Sequence, residues 1–130
     1  MTIANYCLIV ACALPVVCAA MAKAQSFGKR RRDGGYDNYE PRAWLTQLGG
    51  WRGRANAAQA NSFEALPLFI AGVLVAQQMG AAQGRVDMLA LAFIAARIVY
   101  IALYIANQAW LRSAVWAVGM ACCVALFFSA

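Results

Sequence analysis

Four long apolar blocks decide what this chain of 130 residues can fold into. They cover about residues 2–22, 57–78, 86–106 and 113–130. Each is close to the ~20 residues that a helix needs to cross the ~30 Å hydrocarbon core of a bilayer. Outer-membrane strands would instead alternate apolar and polar residues, and these unbroken runs do not. The sequence predicts an all-α integral membrane protein, a single four-helix bundle formed by residues 1–130.

Composition excludes a soluble domain of the same length. Hydrophobic residues make up 64% of the chain and charged residues 12%. A soluble domain usually contains roughly 45–50% apolar and about 25% charged residues. A chain this apolar needs a membrane around it.

The first block has one feature of a secretory signal, because Ala20, Met21 and Ala22 resemble a small-residue cleavage site. No Lys or Arg occurs in residues 1–6, and the positive charges follow the block instead. This arrangement is typical of a retained helix whose N-terminus lies outside.

Basic residues are distributed unevenly between the predicted loops. All lysines and arginines except Arg85 and Arg97 lie in the 23–54 loop or at Arg112. Cytoplasmic loops carry the excess of Lys and Arg, so we expect a cytoplasmic 23–54 loop and both termini outside the cytoplasm. The basic run at residues 29–32 beside a membrane helix favours contact with membrane lipid head groups rather than nucleic acid.

The second half of that loop has a helical pattern. Trp44, Leu45, Leu48 and Trp51 recur with helical spacing, which predicts either an interfacial amphipathic turn or an extension of the second span. Gly49 and Gly50 predict a break within this pattern.

The five cysteines do not form a metal or redox motif. All lie in the first and fourth blocks, no Cys-x-x-Cys occurs, and the chain has no histidine. We expect them to pack between helices as small residues, and we expect no metal site.

Two ionisable side chains inside the spans mark a candidate polar site. Glu64 is the only charged residue between positions 55 and 84, and Arg97 is the only one between 88 and 111. A charge at membrane depth costs roughly 2.5–3.5 kcal/mol on insertion scales, so it is usually buried against a partner or a watery cavity.

Further polar residues share helical faces with these two. Asn61 lies three residues before Glu64, and Arg97, Tyr100 and Tyr104 follow one face of the third span. With a helical rise of ~1.5 Å per residue, Glu64 and Tyr104 lie at the same depth in the membrane, whereas Arg97 lies farther from the cytoplasmic face. A Glu64–Arg97 pair therefore requires an extended arginine side chain, a bound water or a shifted span boundary. Spacing alone does not separate a ligand site from polar contacts that fasten a bundle.

Residues 54–67 resemble a known family signature. They run Arg-Ala-Asn-Ala-Ala-Gln-Ala-Asn-Ser-Phe-Glu-Ala-Leu-Pro, similar to the Arg-Ala…Asn-x-x-Glu signature of membrane-associated proteins in eicosanoid and glutathione metabolism (MAPEG). This four-helix group contains microsomal glutathione transferases and prostaglandin E synthase. Tyr36-Asp37-Asn38 with Pro41-Arg42 resembles its bacterial branch. The resemblance extends over essentially the whole chain.

The resemblance implies a homotrimer in a bacterial inner membrane, with glutathione bound between neighbouring subunits near the cytoplasmic face. Five positions match glutathione-contacting residues of the family: Asn61, Glu64, Arg97, Tyr100 and Tyr104. Arg112 matches the catalytic arginine proposed to stabilise the glutathione thiolate. A guanidinium beside a thiol of ordinary pKa ~8.5 favours the nucleophilic anion.

The implied activity is a glutathione-dependent transferase or peroxidase acting on lipophilic electrophiles that enter from the membrane. Ala57 and Ala60 depart from the pattern because several eukaryotic members carry glutathione-binding arginines there, and Trp116 replaces a tyrosine of some members. Arg52 and Arg54 are candidate replacements. A noncatalytic lipid-binding or scaffold protein is the alternative, since the family includes a member without catalysis. A transport subunit is disfavoured, because no duplicated broken helices occur.

Overall fold

The computed structural model describes residues 1–130, and helices are its only regular secondary structure. Its five α-helices are α1 (Ile3–Lys23), α2 (Pro41–Thr46), α3 (Gly50–Gln78), α4 (Gln83–Ile105) and α5 (Ala109–Phe127), and a single 3-10 turn lies at Arg31–Asp33. Four of them, α1, α3, α4 and α5, are long and apolar enough to cross a membrane. The prediction of an all-α bundle with four spans is confirmed, and the protein is an integral membrane protein.

Small and aromatic residues form the core of the bundle. α3 and α4 both lie against α1 and α5, and Phe69 of α3 stacks on Phe93 of α4 with ring centroids 4.0 Å apart. Gly72 lets α3 approach α5 closely, because a Cβ there would lie 3.1 Å from the Cβ of Leu126 and 3.3 Å from the carbonyl oxygen of Cys123. Such close approach through small residues is typical of packed membrane helices.

Polar contacts fasten the end of the bundle that holds both chain termini, which we call the terminal end. The Asp87 carboxylate accepts hydrogen bonds from the backbone N–H of Ala4 at 2.8 Å and from the side chain of Gln83 at 2.8 Å. Arg85 donates to the carbonyl of Ser129 at 2.9 Å. The first residues of α4 thus hold the start of α1 and the end of the chain.

Two arginines at the start of α3 fasten the opposite end of the bundle. Arg52 Nε donates to the carbonyl of Ala22 at 3.0 Å, and Arg54 Nε donates to the carbonyl of Ile105 at 2.9 Å. The last carbonyls of a helix lack partners within it and favour a nearby cation. These contacts tie the ends of α1 and α4 to α3.

The structure contains both elements that the pattern around Trp44 allows. α2 is a separate short helix, and α3 begins at Gly50 rather than near residue 57, so it extends beyond its apolar block. The break falls at Gly49 and Gly50, as the sequence predicts, and Gly50 has a φ of +62°. Glycine adopts this left-handed conformation without the steric cost that other residues meet.

Asp37 organises the loop between α1 and α2. Its carboxylate accepts a hydrogen bond from the backbone N–H of Tyr39 at 2.9 Å and pairs with Arg31 at 3.0 Å. The Tyr39 N–H first, and Arg31 in addition, hold the pKa of Asp37 below its ordinary value. The ionised carboxylate therefore favours the folded loop.

Candidate functional site

Arg97 lies inside the bundle rather than on its surface. Its side chain is 3% exposed, and Nη2 donates a hydrogen bond to Oγ of Ser62 on α3 at 3.1 Å. The guanidinium also lies over the ring of Tyr100, 4.3 Å from the ring centroid. A hydroxyl and an aromatic face therefore surround a charge that the sequence places at membrane depth.

Glu64 and Arg97 do not form an ion pair. The only ion pair of the structure joins Arg31 to Asp37 in the loop, and Arg97 bonds Ser62 instead. Glu64 is exposed on the surface of α3. The pairing considered from the sequence is therefore not part of this structure, and the Glu64 carboxylate is free to meet another group.

Two tyrosines connect Arg97 to Arg112. The ring centroids of Tyr100 and Tyr104 are 5.7 Å apart with an interplanar angle of 76°. After Tyr104 the chain turns at Asn107, which has a φ of +61°. Asparagine adopts this left-handed conformation more readily than most residues. Arg112 then lies in the first turn of α5, with its guanidinium carbon 4.1 Å from the Tyr104 ring centroid.

Most of the predicted site residues line two adjoining cavities between α3, α4 and α5, which we call the α3–α5 cleft. One cavity has a volume of about 230 Å³ and is lined by Asn61, Tyr100, Tyr104, Arg112, Ser113 and Trp116. The other has about 240 Å³ and is lined by Asn61, Glu64, Ala65, Trp116 and Met120. Asn61 and Trp116 border both. Arg97 alone among the predicted residues does not line the cleft but lies behind it.

The electrostatics of the cleft favour an anion near Arg112. The N-terminal end of a helix carries partial positive charge, so a cation in its first turn is normally disfavoured. Arg112 occupies such a position in α5 and has no carboxylate partner and no side-chain hydrogen bond within the protein. The charge of the guanidinium and the partial positive charge at the start of α5 have the same sign, and both favour an anion near Arg112.

Two buried polar atoms beside the cleft lack partners within the protein. They are Oδ1 of Asn61 and Nη1 of Arg97. Buried polar groups in folded proteins are hydrogen-bonded in about nine cases of ten. A buried acceptor in the wall of the cleft and a buried donor behind it, both left without partners, are expected where a ligand or bound water completes the bonding.

A second groove runs between α2 and α3, with a volume of about 320 Å³. It is lined by Arg42, Leu45, Thr46, Asn56, Gln59, Ala60 and Phe63. Arg42 brings a cation to the groove that Ala60 lines, although no arginine occupies that position of α3. Arg52 and Arg54, the replacements considered from the sequence, bond helix carbonyls instead.

Sequence reasoning did not find Ser62, Ser113 or Gln59. Ser62 was detectable in principle, because it interrupts an otherwise apolar buried row on α3 formed with Ala58, Ala65 and Phe69. A hydroxyl on such a row needs a partner, and here it accepts the bond from Arg97.

Comparison with known proteins places the chain in a family. The model of the MAPEG family matches residues 3–130, nearly the whole chain. No curated protein and no solved structure matches it. The family contains glutathione transferases and peroxidases as well as noncatalytic members, and glutathione is its general partner. This all-helical integral membrane protein, with its four apolar spans, belongs to the MAPEG family.

Proposed function

We propose that this protein is a membrane-embedded, glutathione-dependent transferase or peroxidase that acts on lipophilic electrophiles. The observation that carries the proposal is the position of Arg112. Its guanidinium lines the α3–α5 cleft beside Tyr104 and Asn61, and no carboxylate of the protein neutralises it. An uncompensated cation in a cleft is suited to stabilising an anion that forms there.

Arg112 acts on the thiol. When bound, glutathione supplies the sulfur nucleophile. Its thiolate either forms a carbon–sulfur bond as the leaving group of the electrophile departs with its bonding electrons, or cleaves the O–O bond of a hydroperoxide, after which a second glutathione completes glutathione disulfide, the alcohol and water. A thiol of ordinary pKa ~8.5 is mostly protonated at neutral pH, and a neighbouring guanidinium lowers that pKa. Arg112 with the start of α5 thus increases the fraction of reactive thiolate.

The remaining residues of the cleft suit the rest of glutathione. Glutathione has an ammonium group and two carboxylates. The exposed Glu64 carboxylate has no ion-pair partner and suits the ammonium group, while the open Oδ1 of Asn61 suits an amide N–H. Arg42, in the groove beside Ala60, suits a carboxylate in place of the arginines found in other members. Arg97, Tyr100 and Tyr104 complete the proposed binding set.

We propose a homotrimer in which glutathione lies between subunits. Glu64 is exposed on a single chain although its helix spans the membrane, and a carboxylate facing hydrocarbon is costly. A neighbouring subunit that covers this face removes the cost and closes the cleft. The arginines and lysines around α2 support a cytoplasmic position for this end of the bundle, in a bacterial inner membrane with both termini outside.

Titration calorimetry of the detergent-purified protein with glutathione tests the proposal. We expect saturable binding with a dissociation constant in the millimolar range or below, and thiolate absorbance near neutral pH. Conjugation of glutathione to a chloronitrobenzene, or reduction of a lipid hydroperoxide, should follow. Absence of saturable binding would overturn the enzyme proposal.

A noncatalytic lipid-binding role is the second candidate, and one observation favours it. A groove of about 320 Å³ between α1 and α4 is lined only by apolar side chains: Leu14, Val17, Met21, Ile98, Ile101, Ala102 and Ile105. Such a groove suits an acyl chain. Lipid retained through purification together with no glutathione binding would support this role over catalysis.

A further inference from the structure

Four side chains form one continuous stack beside the cleft, which we call the arginine–tyrosine stack. Arg97 lies over Tyr100 at 4.3 Å, Tyr100 meets Tyr104 edge to face at 5.7 Å, and Arg112 lies over Tyr104 at 4.1 Å. Each step joins a cation to a ring or a ring to a ring in a geometry that is attractive. The stack runs from the interior of the bundle to the guanidinium in the cleft.

The inner end of the stack is held firmly. Arg97 is 3% exposed and Ser62 is 3% exposed, and the bond between them at 3.1 Å joins α4 to α3. Tyr100 is 5% exposed and packs in a core cluster with Cys18. Arg97 and the first ring therefore have little freedom to change orientation.

Arg112, at the outer end of the stack, is not held by an ion pair or a side-chain hydrogen bond within the protein. The ring of Tyr104 is therefore the group that orients it. A carboxylate partner would hold the guanidinium as well, but it would occupy the N–H groups and neutralise the charge. Stacking uses the flat face of the guanidinium and leaves its in-plane N–H donors free for an anion.

We propose that Ser62, through Arg97 and the two tyrosine rings, positions Arg112 for its action on the bound thiol. Ser62 is a positioning residue because it does not line the cleft and acts through the stack. Tyr104 acts here through its ring face, in addition to any contact of its hydroxyl with glutathione. The inference rests on the proposed function, because it explains how Arg112 is aimed.

A matched pair of substitutions at Tyr104 isolates the ring face. Tyr104→Phe and Tyr104→Leu both remove the hydroxyl, so both lose any hydrogen bond to glutathione, but only phenylalanine keeps the ring. In a pH titration of bound glutathione thiolate, followed by its absorbance, the informative comparison is between these two variants, because the loss of the hydroxyl is common to both. We expect Tyr104→Leu to give about three- to tenfold less thiolate than Tyr104→Phe at a fixed pH below the midpoint, as expected for a lost cation–π contact. Equal midpoints in the two variants would overturn the role of the ring face.

A second pair tests the inner end. Ser62→Ala removes the acceptor for Arg97, whereas Ser62→Thr keeps a hydroxyl. We expect Ser62→Ala to raise the pH midpoint of thiolate formation and to give about two- to threefold less thiolate at a fixed pH below that midpoint. Ser62→Thr should restore the wild-type midpoint. A residue that only fastens helices would lower thermal stability and leave the midpoint unchanged. An unchanged midpoint in Ser62→Ala would overturn its positioning role.

A measurement without glutathione separates this inference from the proposed function. In ¹⁵N-arginine-labelled protein in detergent, the Nε–H resonance of Arg112, assigned by its loss in Arg112→Lys, should show the ring-current shift of Tyr104. We expect Tyr104→Phe to keep this shift and Tyr104→Leu to abolish it. Failure of glutathione to bind the wild type would overturn the proposed function alone. A shift that survives in Tyr104→Leu would overturn the stack even if the protein is a transferase.

Discussion

The terminal end of the bundle and the α3–α5 cleft use polar residues in opposite ways. At the terminal end, Asp87 accepts bonds from Ala4 and Gln83, and Arg85 bonds the Ser129 carbonyl. In the α3–α5 cleft, Glu64 and Arg112 have no ion-pair partner and the Asn61 Oδ1 has no hydrogen-bond partner within the protein. A network that only fastens helices closes on itself, because unpaired polar groups in a membrane are costly. The open groups of the cleft are those expected of a binding site.

Replacement of Arg112 should give the largest difference between these two regions. We expect Arg112→Ala to lower the rate of glutathione conjugation by about 10²–10³-fold, as for other losses of a group that stabilises developing negative charge. Assembly of the proposed trimer and much of the glutathione affinity should remain. Arg85→Ala, at the terminal end, is the matched control and should leave the rate per folded protein unchanged. Equal rates in wild type and Arg112→Ala would mean that Arg112 only anchors the helix at the membrane surface.

Replacement of Glu64 sharpens the comparison because this side chain is exposed and unpaired. Glu64→Gln should lower glutathione affinity by about 10–100-fold, since a charge-assisted hydrogen bond to the ammonium group contributes about 1.5–3 kcal/mol. Thermal unfolding in detergent should change little. Calorimetric titration and a melting curve of the same sample measure both. A large loss of stability with intact binding would place Glu64 among the fastening contacts.

Replacement of Asp87 should give the reverse result. Asp87→Ala leaves the N–H of Ala4 and the Gln83 side chain without their acceptor, at a cost of about 1–3 kcal/mol. We expect earlier thermal unfolding and unchanged glutathione affinity of the folded fraction. Asp87→Asn, which keeps an acceptor oxygen, should lose less stability. If affinity fell in proportion to stability, the two regions would not be independent.

The smallest effect concerns the loop between α1 and α2. The pKa of Asp37 is lowered in the folded loop, so its contribution to loop stability is present above its ordinary pKa of about 3.9 and is lost as the pH falls through the lower folded value. We expect proteolysis of the loop to increase at strongly acid pH. Asp37→Asn should be more susceptible at neutral pH and should show less change with acid. Equal susceptibility of the two proteins at neutral pH would contradict a role of the ionised Asp37 carboxylate in ordering the loop.

The spans were predictable because length and apolar character act locally along the chain. Four uninterrupted blocks specify four crossing helices before any contact between helices is known. The start of α3 was harder to predict, because residues 50–56 lie outside the apolar block and Arg52 and Arg54 make contacts with the ends of α1 and α4 that spacing along the chain does not reveal.

The partners of the charged residues were not predictable from spacing. Helical periodicity puts Arg97, Tyr100 and Tyr104 on one face, but the rotation and tilt of α4 against α3 decide whether Arg97 meets Glu64 or Ser62. The structure has the Ser62 bond. Roles in glutathione binding and catalysis stay predictions that rest on the family signature and on the open groups of the cleft.

The close contact at Gly72 has a consequence for the width of the cleft. Gly72 meets α5 near Cys123 and Leu126, whereas the same helix borders the cleft at its other end, through Arg112 and Trp116. A methyl group at residue 72 would require its neighbours on α5 to shift by a few tenths of an ångström. If α5 moved as a rigid body, Arg112 would move with it. Substitution of one remote small residue is therefore expected to change the width of the α3–α5 cleft without altering any group that lines it.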